Sequence, residues 1–522
     1  MIIILLVVIF IVAFYFYSVK NHDYWAKKNV KHVPPVPLFG NHLPNQLGQK
    51  SITEISVEYY NKFPGEKVVG YYRGTTPELI VKDLDITRKI LTVDFPYFYK
   101  RGIGRYPEVE PIFGNLFHAE GDRWKLLRQR LTPAFTTAKL RAMFPLVVRC
   151  AERLQDVVTE LAGRGATYDA RELMARFTTE FIGACGFGIE MDTINNEHSY
   201  FLDFGKRLLE RTFTIKVLIF ISELFPEIKN VFRTRPKQIE NEFRVLLEQI
   251  RSQRNYKPIG RHDFIDLLLE LEAKGKILGE SIEKFKEDGT PVPVEMEMDF
   301  NCQMAQVFLF FAAGFDTSSH ATSHTLHLLA YHPEAQRRIQ EEIDNIMQKY
   351  DDKLCYDAIA EMTLLDMAFN EAMRMLPSIG VLNRICTRKY EIPELGIAID
   401  PGVKILIPLQ AIYMDEKYFD NPKEFRPERF SPEAIKKRHN FSYLPFGEGP
   451  RACVGARLGQ MQSLAGLASI LHKFSVEPAE SSRHEIKLGP SSDIAPRIVG
   501  KMPLNFKIRG SKRATSTSKQ FI

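Results

Sequence analysis

The chain has 522 residues, 45% hydrophobic and 26% charged, which is the mix of an ordinary folded protein and excludes a disordered or fibrous one. Its net charge of +6 is small, and no basic run is interleaved with aromatic residues, so no nucleic-acid partner is expected. The six cysteines include no Cys-x-x-Cys pair, which excludes a zinc ribbon or thioredoxin-type site and indicates a reducing compartment.

Residues 1–19 carry no charge and consist mainly of Ile, Leu, Val and Phe. At about 1.5 Å per residue, such a helix just crosses a bilayer. No cationic residue precedes it and no small-residue cleavage site follows, so we predict a retained transmembrane signal anchor. Lys20 and three further lysines follow directly, which places the rest of the chain in the cytosol. Tyr15, Tyr17 and Trp25 are predicted interface anchors, and the alternative is an apolar helix in a soluble core.

Residues 20–40 are basic and proline-rich, and are predicted to form a stiff joint between anchor and globule. No linker divides residues 41–508, which we treat as one mainly α domain with a small β region. The charged segment 275–293 contains the turn signal Asp-Gly-Thr-Pro and is predicted to be an exposed loop. The Ser/Thr/Lys-rich tail, 509–522, is predicted to be disordered.

Strand-like patterns occur at 67–72 and 79–81, and short strands are also expected after residue 378. Helical patterns predict helices at 85–91, 121–131, 137–161, 170–186, 200–212, 236–254, 298–331 and 333–349. Pro333 suits a first helical turn, so a break is expected between the last two helices.

Trp124 and Arg128 lie four residues apart in the predicted helix 121–131. The indole N–H and the guanidinium both suit an anionic oxygen, so the two side chains can hold a carboxylate together. The alternative is an ordinary surface pair.

The predicted helix 298–331 changes from apolar to small to polar residues at Ala313-Gly314-Phe315-Asp316-Thr317. Gly314 weakens the local helical ladder, and a Thr hydroxyl can bond to a carbonyl in the preceding turn. In such an opening, Asp316 and Thr317 would supply protons. The alternative is a buried helix with an ordinary Asp-Thr pair.

Three histidines, His320, His324 and His327, share one face of the same predicted helix. They could mimic a metal site. They lack the carboxylate of a His-Glu-x-x-His motif, however, so a zinc site is not expected.

Glu371 and Arg374 are three residues apart and can pair on a helix face. Glu334 and Arg337 have the same spacing, and we interpret them as a solvated surface pair. The pair of Glu371 and Arg374 differs from the surface pair because a second arginine can join it. This is Arg429, in the later segment Pro427-Glu428-Arg429-Phe430.

Cys453 lies in the glycine-rich stretch Phe446-Gly447-Glu448-Gly449-Pro450-Arg451-Ala452-Cys453-Val454-Gly455, of pattern F-x-x-G-x-R-x-C-x-G. Thiolate ligation of a metal requires surroundings that lower the pKa of the cysteine. Gly449 and Gly455 let the backbone turn tightly and approach a flat macrocycle. The helical pattern from Ala456 would place the sulfur near a positive helix N-terminus. The alternative is a buried free cysteine in a glycine-rich turn.

This loop resembles the haem-ligand loop of the cytochrome P-450 monooxygenases, and the other motifs occur in that family's order. The resemblance implies the mainly α cytochrome P-450 fold, with iron protoporphyrin IX (haem b) ligated by the Cys453 thiolate. It implies propionate contacts from Trp124, Arg128, Arg384 and Arg451. It also implies an acid–alcohol pair of Asp316 and Thr317. A further implication is a structural cluster that positions the cysteine loop, formed by Glu371, Arg374 and Arg429.

The family reaction inserts one atom of O2 into a lipophilic substrate with two electrons from NADPH. No dinucleotide-binding motif occurs in the sequence, so NADPH–cytochrome P-450 reductase is the expected donor, with cytochrome b5 as a second partner. The cationic docking face expected for these partners consists of Lys125, Arg130, Lys139 and Arg457. Ordinary surface charge is the alternative.

By family analogy, substrate contacts come from the segments 101–117, 378–382 and 491–498 and from one face of the long helix. The expected substrate residues are Phe308, Phe311, Phe315, Ile379 and Val381. The apolar stretch 214–225 is expected to dip into the bilayer.

The resemblance is closest to insect microsomal enzymes of the endoplasmic reticulum membrane, which implies detoxification of plant toxins or insecticides. The alternatives are a hydroxylase of endogenous hormones or fatty acids, a haem-thiolate isomerase, and a non-catalytic haem-binding membrane protein. The Asp316-Thr317 pair argues against the isomerase.

Overall fold

The computed structural model describes residues 1–103, 106–196, 199–209, 212–228, 231–261, 263–490 and 495–510. The α-helices in these ranges are α1 Ile2–Ser18, α2 Tyr24–Lys27, α3 Leu43–Gln46, α4 Ile52–Lys62, α5 Leu84–Arg88, α6 Gly121–Leu131, α7 Thr137–Gly163, α8 Ala170–Phe181, α9 Tyr200–Leu209, α10 Phe213–Leu224, α11 Lys237–Gln253, α12 Phe264–Ala273, α13 Phe300–Tyr331, α14 Pro333–Lys349, α15 Tyr356–Glu361, α16 Thr363–Met375, α17 Leu409–Tyr413, α18 Pro432–Lys437 and α19 Ala456–Lys473. The strands are β1 Val68–Arg73, β2 Thr76–Val81, β3 Thr167–Asp169, β4 Lys276–Phe285, β5 Pro291–Glu297, β6 Leu382–Ile385, β7 Tyr390–Ile392, β8 Ile397–Ile399, β9 Lys404–Ile407, β10 Phe474–Pro478, β11 Lys487–Gly489, β12 Arg497–Val499 and β13 Pro503–Ile508.

Helices dominate and the sheets are small, as the sequence predicted. The largest sheet has the order β1-β2-β9-β6, in which only β2 and β9 are parallel. A second sheet has the order β10-β13-β3. The remaining strands form the pairs β4-β5, β7-β8 and β11-β12. The main hydrophobic core surrounds α13, while two smaller clusters lie on the faces of the largest sheet.

The helix boundaries follow local capping chemistry. The long helix α13 begins at Phe300, later than predicted, because the Asp299 carboxylate accepts the Cys302 N–H at 2.7 Å and so caps the first turn. Pro333 opens α14 directly after His332, as its fixed φ predicts. The predicted helices 85–91 and 170–186 each finish in a π-helical segment, Lys89–Val93 and Ile182–Phe187.

The predicted loop at 275–293 is wrong, because β4 and β5 form an antiparallel hairpin there. The sequence carries the signal, since Val292, Val294 and Met296 alternate with proline and glutamate in a period of two. The hairpin packs on α6. The Asp122 carboxylate of that helix accepts the Ser281 hydroxyl at 2.8 Å and the Ile282 N–H at 2.7 Å.

The N-terminal helix α1 is apolar and exposed along nearly its whole length. It has 17 residues. Among the described residues, no helix is both long and apolar enough to cross a membrane, so the predicted transmembrane helix at 1–19 is not confirmed. Trp25 is not an interface anchor. It is completely buried against Gly70, and its indole N–H donates to the Tyr71 carbonyl at 3.2 Å.

Candidate active site

The loop before Cys453 is a tight turn that depends on glycine. Gly447 and Gly449 adopt φ of +70° and +76°, a region that side chains disfavour. A Cβ at Gly449 would clash with the Leu91 carbonyl. The turn is closed by the Cys453 N–H, which donates to the Phe446 carbonyl at 2.8 Å. The turn therefore fixes the position of the Cys453 backbone before any ligand binds.

Cys453 lies at the N-terminal end of α19, where Gly455 is the residue before the first turn. Gly455 has φ of −93°, which other residues also adopt, so glycine is not required there by a left-handed backbone. A Cβ there would approach only the Phe135 ring, at 3.8 Å. Because Gly455 has no side chain, the space beside its Cα is open among the described residues. A flat ligand could approach the backbone closely there.

The protein packed around Cys453 raises the pKa of its thiol, although the side chain has accessible surface. The Gly455 N–H, Arg101 and Arg128 act in the opposite direction without reversing the shift. The lowered pKa that metal ligation requires is therefore not reached through these protein groups alone. A metal ion bound to the sulfur would supply the missing stabilisation, since coordination deprotonates a thiol.

The loop is surrounded by four arginines, Arg101, Arg128, Arg384 and Arg451. Arg128 Nη1 donates to the Ala452 carbonyl and Arg101 Nη2 to the Arg451 carbonyl, both at 2.8 Å. Arg451 Nε donates to the Tyr99 carbonyl at 2.9 Å, and its guanidinium lies 4.2 Å from the centre of the Trp124 ring. Trp124 and Arg451 are thus partners, with Arg128 holding the loop carbonyl beside Cys453. Arg101 was expected only as part of the substrate segment 101–117, and its bond to the cysteine loop was missed because no motif marks it.

Two buried arginines at the loop, Arg384 and Arg451, have nitrogens without a hydrogen-bond partner among the described residues. Buried Arg384 leaves Nε without a hydrogen bond, and buried Arg451 leaves both terminal nitrogens without one. Burial and the neighbouring arginines lower the pKa of Arg384 and of Arg451. Buried cations of this kind require a counter-charge. The two propionates of a haem fit this requirement in charge and in hydrogen-bonding capacity.

The middle of α13 lies next to this loop. A Cβ at Gly459 of α19 would be 3.8 Å from the Ser318 hydroxyl, so the helix passes close to the element that follows Cys453. The Thr317 hydroxyl donates to the Ala313 carbonyl at 2.8 Å, as predicted for a Thr in a weakened turn. Ala313 is exposed and Thr317 is partly exposed, so the two residues form an accessible face. The helix is nevertheless unbroken from Phe300 to Tyr331, and the local opening predicted at Gly314 is not seen.

Asp316 is only partly exposed, and its Oδ1 lies 3.5 Å from Nε2 of His320. The Ser378 hydroxyl donates to the Thr317 carbonyl at 3.1 Å, which brings the segment after α16 beside the Asp-Thr pair. Proton-carrying groups thus lie on the same side of α13 as the accessible face at Thr317.

Glu371, Arg374 and Arg429 form a buried cluster. Arg374 binds both carboxylate oxygens of Glu371, at 2.7 and 2.8 Å, and Arg429 Nε donates to Oε1 at 3.2 Å. Arg374 Nη1 also donates to the Tyr413 carbonyl at 2.8 Å. The Tyr413 hydroxyl accepts the Leu444 N–H at 2.9 Å, two residues before the cysteine loop begins. The cluster is thereby connected to the loop through one tyrosine.

The expected substrate residues lie on α13 and on the segment between α16 and β6. Phe308, Phe311 and Phe315 are buried, and Phe311 packs among the rings of Phe187, Phe204 and Phe243. Val381 belongs to the core on one face of the sheet, whereas Ile379 is partly exposed. Residues 104–105 and 491–494 of the expected substrate segments lie outside the described residues.

The expected docking face is partly engaged by the protein itself. Arg130 Nη2 donates to the Leu278 carbonyl of β4 at 3.0 Å, and Arg457 Nη1 donates to the Thr137 hydroxyl at 3.0 Å. Both side chains remain exposed, and Lys125 and Lys139 are partly exposed. All four lie on α6, α7 and α19, the elements beside the cysteine loop.

Known proteins with a similar sequence identify the family. A model of the cytochrome P450 family matches residues 31–501. Cytochrome P450 6B6 of Helicoverpa armigera is 35% identical over 483 residues, which cover 92% of this chain and 94% of the relative. Cytochrome P450 6a2 of Drosophila melanogaster is 35% identical over 492 residues, with 92% and 94% covered. Cytochrome P450 6k1 of Blattella germanica is 32% identical over 506 residues, with 95% of each chain covered. With a cysteine loop, an arginine set suited to propionates and a match along most of its length, the chain belongs to the cytochrome P450 family of haem-dependent monooxygenases.

Proposed function

We propose that this monooxygenase oxidises lipophilic foreign compounds, such as plant toxins and insecticides, at the endoplasmic reticulum membrane. In this proposal, electrons come from NADPH through NADPH–cytochrome P450 reductase, with cytochrome b5 as an accessory donor. The single observation that carries the chemistry is the position of Cys453 at the start of α19, beside buried Arg451, whose terminal nitrogens lack hydrogen-bond partners among the described residues, as does Nε of Arg384. The similarity to insect cytochromes P450 supports the detoxification role.

When bound, the haem would supply oxygen activation at an iron ligated by the Cys453 thiolate. The protein's own groups hold and orient it. Arg384 and Arg451 would bind the propionates, with Trp124 stacked on Arg451 and Arg101 and Arg128 fixing the loop carbonyls. The Thr317 hydroxyl is held in place by its bond to the Ala313 carbonyl. Asp316 would hold the proton that the pocket requires and release it there.

A lipophilic substrate is supported by the apolar elements at one end of the molecule. The Tyr17 ring of α1 stacks on Phe225, just after α10, with ring centres 5.5 Å apart. Several apolar side chains of both helices are exposed, including Phe10, Phe213 and Val217. We propose that α1 anchors the protein in the membrane and that α10 contacts the membrane surface, with the catalytic domain on the cytosolic side. Substrates dissolved in lipid would then reach the pocket directly.

The test is the carbon monoxide difference spectrum of the reduced, haem-loaded protein. We expect the shifted Soret band of a thiolate ligand in the unchanged protein and in Cys386→Ala, a control that removes a buried cysteine outside the loop. We expect Cys453→Ala to lose the band completely, because no other thiol lies at the loop. A thiolate band that survives in Cys453→Ala would overturn the assignment.

The partner and substrate classes are tested separately. Reconstitution with reductase should give NADPH-dependent oxidation of lipophilic foreign compounds, and reductase without the protein should give none. Turnover of fatty acids or steroid hormones alone would favour the endogenous hydroxylase instead. Rearrangement of peroxides without reductase would favour the isomerase.

A further inference from the structure

The short segment 99–101 contacts the arginines that have unsatisfied nitrogens. The Tyr99 carbonyl accepts Arg451 Nε at 2.9 Å, and Arg101 Nη2 donates to the Arg451 carbonyl at 2.8 Å. The Lys100 carbonyl accepts, also at 2.8 Å, the backbone N–H of the residue that follows Arg384. The segment thus holds Arg451 by two bonds and is joined to the strand that carries Arg384.

Little regular structure fixes this segment. Apart from an isolated bridge between Lys100 and Ile385, residues 99–101 belong to no helix or strand. A backbone without the repeated bonds of a helix or sheet depends on other partners for its position. Side chains from neighbouring elements must therefore supply part of the support.

One carboxylate supplies such support from the β4-β5 hairpin. Glu283 Oε1 accepts the Tyr99 hydroxyl at 2.9 Å and lies 3.2 Å from Lys100 Nζ. The Glu283 side chain is 33% exposed, whereas Tyr99 is buried in the main core. The bond from Tyr99 to Glu283 therefore joins a surface hairpin to the interior beside Arg451.

The fold leaves a defined space for this carboxylate. Gly121, the first residue of α6, has φ of +57°, and a Cβ there would lie within 2.6 Å of the Glu283 carboxylate. The next residue, Asp122, binds the hairpin at Ser281 and Ile282, directly before Glu283. The N-terminus of α6 and the hairpin thus fix the carboxylate together.

We propose that Glu283 is a positioning residue for the haem propionates, which acts through the Tyr99 hydroxyl on the segment that holds Arg451. This inference rests on the haem site of the proposed function. The bond keeps the Tyr99 carbonyl within reach of Arg451 Nε, so the guanidinium is ordered before haem binds. Less conformational entropy is then lost when a propionate accepts the terminal nitrogens of Arg451.

An ordinary surface ion pair with Lys100 is the competing interpretation of Glu283. Solvent screens such a pair, and it adds little to stability. Two observations favour the positioning role. The oxygen that faces Lys100 also accepts the hydroxyl of buried Tyr99, and the space that the carboxylate occupies requires glycine at residue 121.

The first test measures how fast the ferric, haem-loaded protein loses haem to an excess of apomyoglobin. Glu283→Ala and Tyr99→Phe should each lose haem roughly tenfold faster than the unchanged protein, because residues that support the ligands of a bound metal group contribute about 10- to 100-fold to its affinity. Tyr99→Phe removes the hydroxyl but keeps the carbonyl that binds Arg451.

The double variant decides whether the two side chains act together. It should lose haem no faster than Glu283→Ala, because both changes break the same hydrogen bond. Fully additive losses in the double variant, or normal haem retention in Glu283→Ala, would overturn the proposal.

Two further variants serve as controls. Glu283→Gln keeps an oxygen that can accept the Tyr99 hydroxyl, so it should lose haem about as slowly as the unchanged protein. Glu295→Ala removes a glutamate that pairs with Lys276 on the same hairpin, and it should also retain haem. Haem loss as fast in Glu283→Gln as in Glu283→Ala would overturn a role that acts through the bond to Tyr99.

The reduction potential separates positioning from a general loosening of the protein. A guanidinium near the haem favours the reduced state, which carries one more electron. Displacement of Arg451 should therefore make the potential more negative in Glu283→Ala and Tyr99→Phe, with no change in Glu295→Ala. Unchanged potentials in the first two variants would overturn the positioning role, even if haem were lost faster.

The carbon monoxide spectrum separates this role from the proposed function. A thiolate band in every variant, together with haem loss as slow as in the unchanged protein, would overturn the positioning role alone. Absence of that band from the unchanged protein would overturn the proposed function and the positioning role with it.

Discussion

Buried charges in this protein are of two kinds. Glu371 is completely buried, yet both of its carboxylate oxygens accept hydrogen bonds from arginine. Arg384 and Arg451 are also buried, but they have nitrogens without a hydrogen-bond partner in the part of the chain that the structure describes. Satisfied buried charges hold a structure together, whereas unsatisfied ones cost stability and persist at sites that bind a ligand. The two kinds thus distinguish the scaffold from the site.

The scaffold role predicts a large effect of Glu371→Gln. The substitution leaves two buried guanidinium groups, Arg374 and Arg429, without their carboxylate, which costs about 3 to 5 kcal/mol of unfolding free energy. Glu334→Gln is the matched control, because Glu334 pairs with Arg337 at the same spacing on the surface, where solvent screens the pair and it adds little to stability. Urea unfolding of the two variants, with their haem content measured alongside, checks the prediction.

The Glu371→Gln variant should also bind less haem, because hydrogen bonds through Tyr413 and Leu444 connect the cluster to the cysteine loop. Equal losses of stability in the two variants, or full haem content in Glu371→Gln, would show that the cluster does not position the loop.

At the scale of elements, the β4-β5 hairpin secures α6, the helix that carries Trp124 and Arg128. Asp122, in the first turn of α6, binds the hairpin through the Ser281 hydroxyl and the Ile282 N–H. The Tyr99 hydroxyl also donates to Glu283 of the hairpin at 2.9 Å, and the Tyr99 carbonyl accepts from Arg451. The hairpin is therefore part of the support of the arginine set.

Asp122→Ala should release the hairpin. Loss of two hydrogen bonds to a charged group lowers the free energy of local opening by about 2 kcal/mol, which makes cleavage after Lys284 or Lys286 by trypsin roughly 30-fold faster. Glu295→Ala is the control, because Glu295 pairs only with Lys276 within the hairpin. Equal cleavage rates in the two variants would mean that the contact with α6 does not hold the hairpin.

The same scale shows why some elements could be predicted from the sequence and others could not. The cytochrome P450 family was predicted correctly because the Cys453 loop needs its glycines and arginine at fixed local spacing. The β4-β5 hairpin was missed because its charged residues and its turn signal favoured a loop, and the period-two pattern of apolar residues in β5 is short. The side of α13 that faces other helices is decided by the packing of α8, α9 and α11. The sequence alone therefore could not show whether Phe308, Phe311 and Phe315 face a substrate or the helix core. Arg101 joins the arginine set only through tertiary contacts.

At the scale of the whole molecule, α1 is attached to the body at one end and otherwise touches little of it. Lys20 Nζ and the Tyr17 hydroxyl bind Glu227, at 2.8 and 3.0 Å, beside the end of α10. Tyr24 and Trp25 then fix the following residues to Asp400 and to the largest sheet. Side chains from Ile2 to Phe10 are exposed and entirely apolar. Water is a poor solvent for such a surface, which favours the membrane contact proposed above.

Ile9→Arg tests this contact, because Ile9 lies in the middle of α1 and is exposed. A charged side chain at the centre of an inserted helix costs about 2.5 to 3.5 kcal/mol, so binding to neutral phosphatidylcholine vesicles should weaken roughly 100-fold. Ile435→Arg is the control, since it adds the same charge at another exposed apolar residue on the body of the protein. Flotation of both variants on a density gradient measures the binding. If Ile9→Arg floats as well as Ile435→Arg, α1 is not the membrane anchor, and direct entry of substrate from the lipid loses its main support.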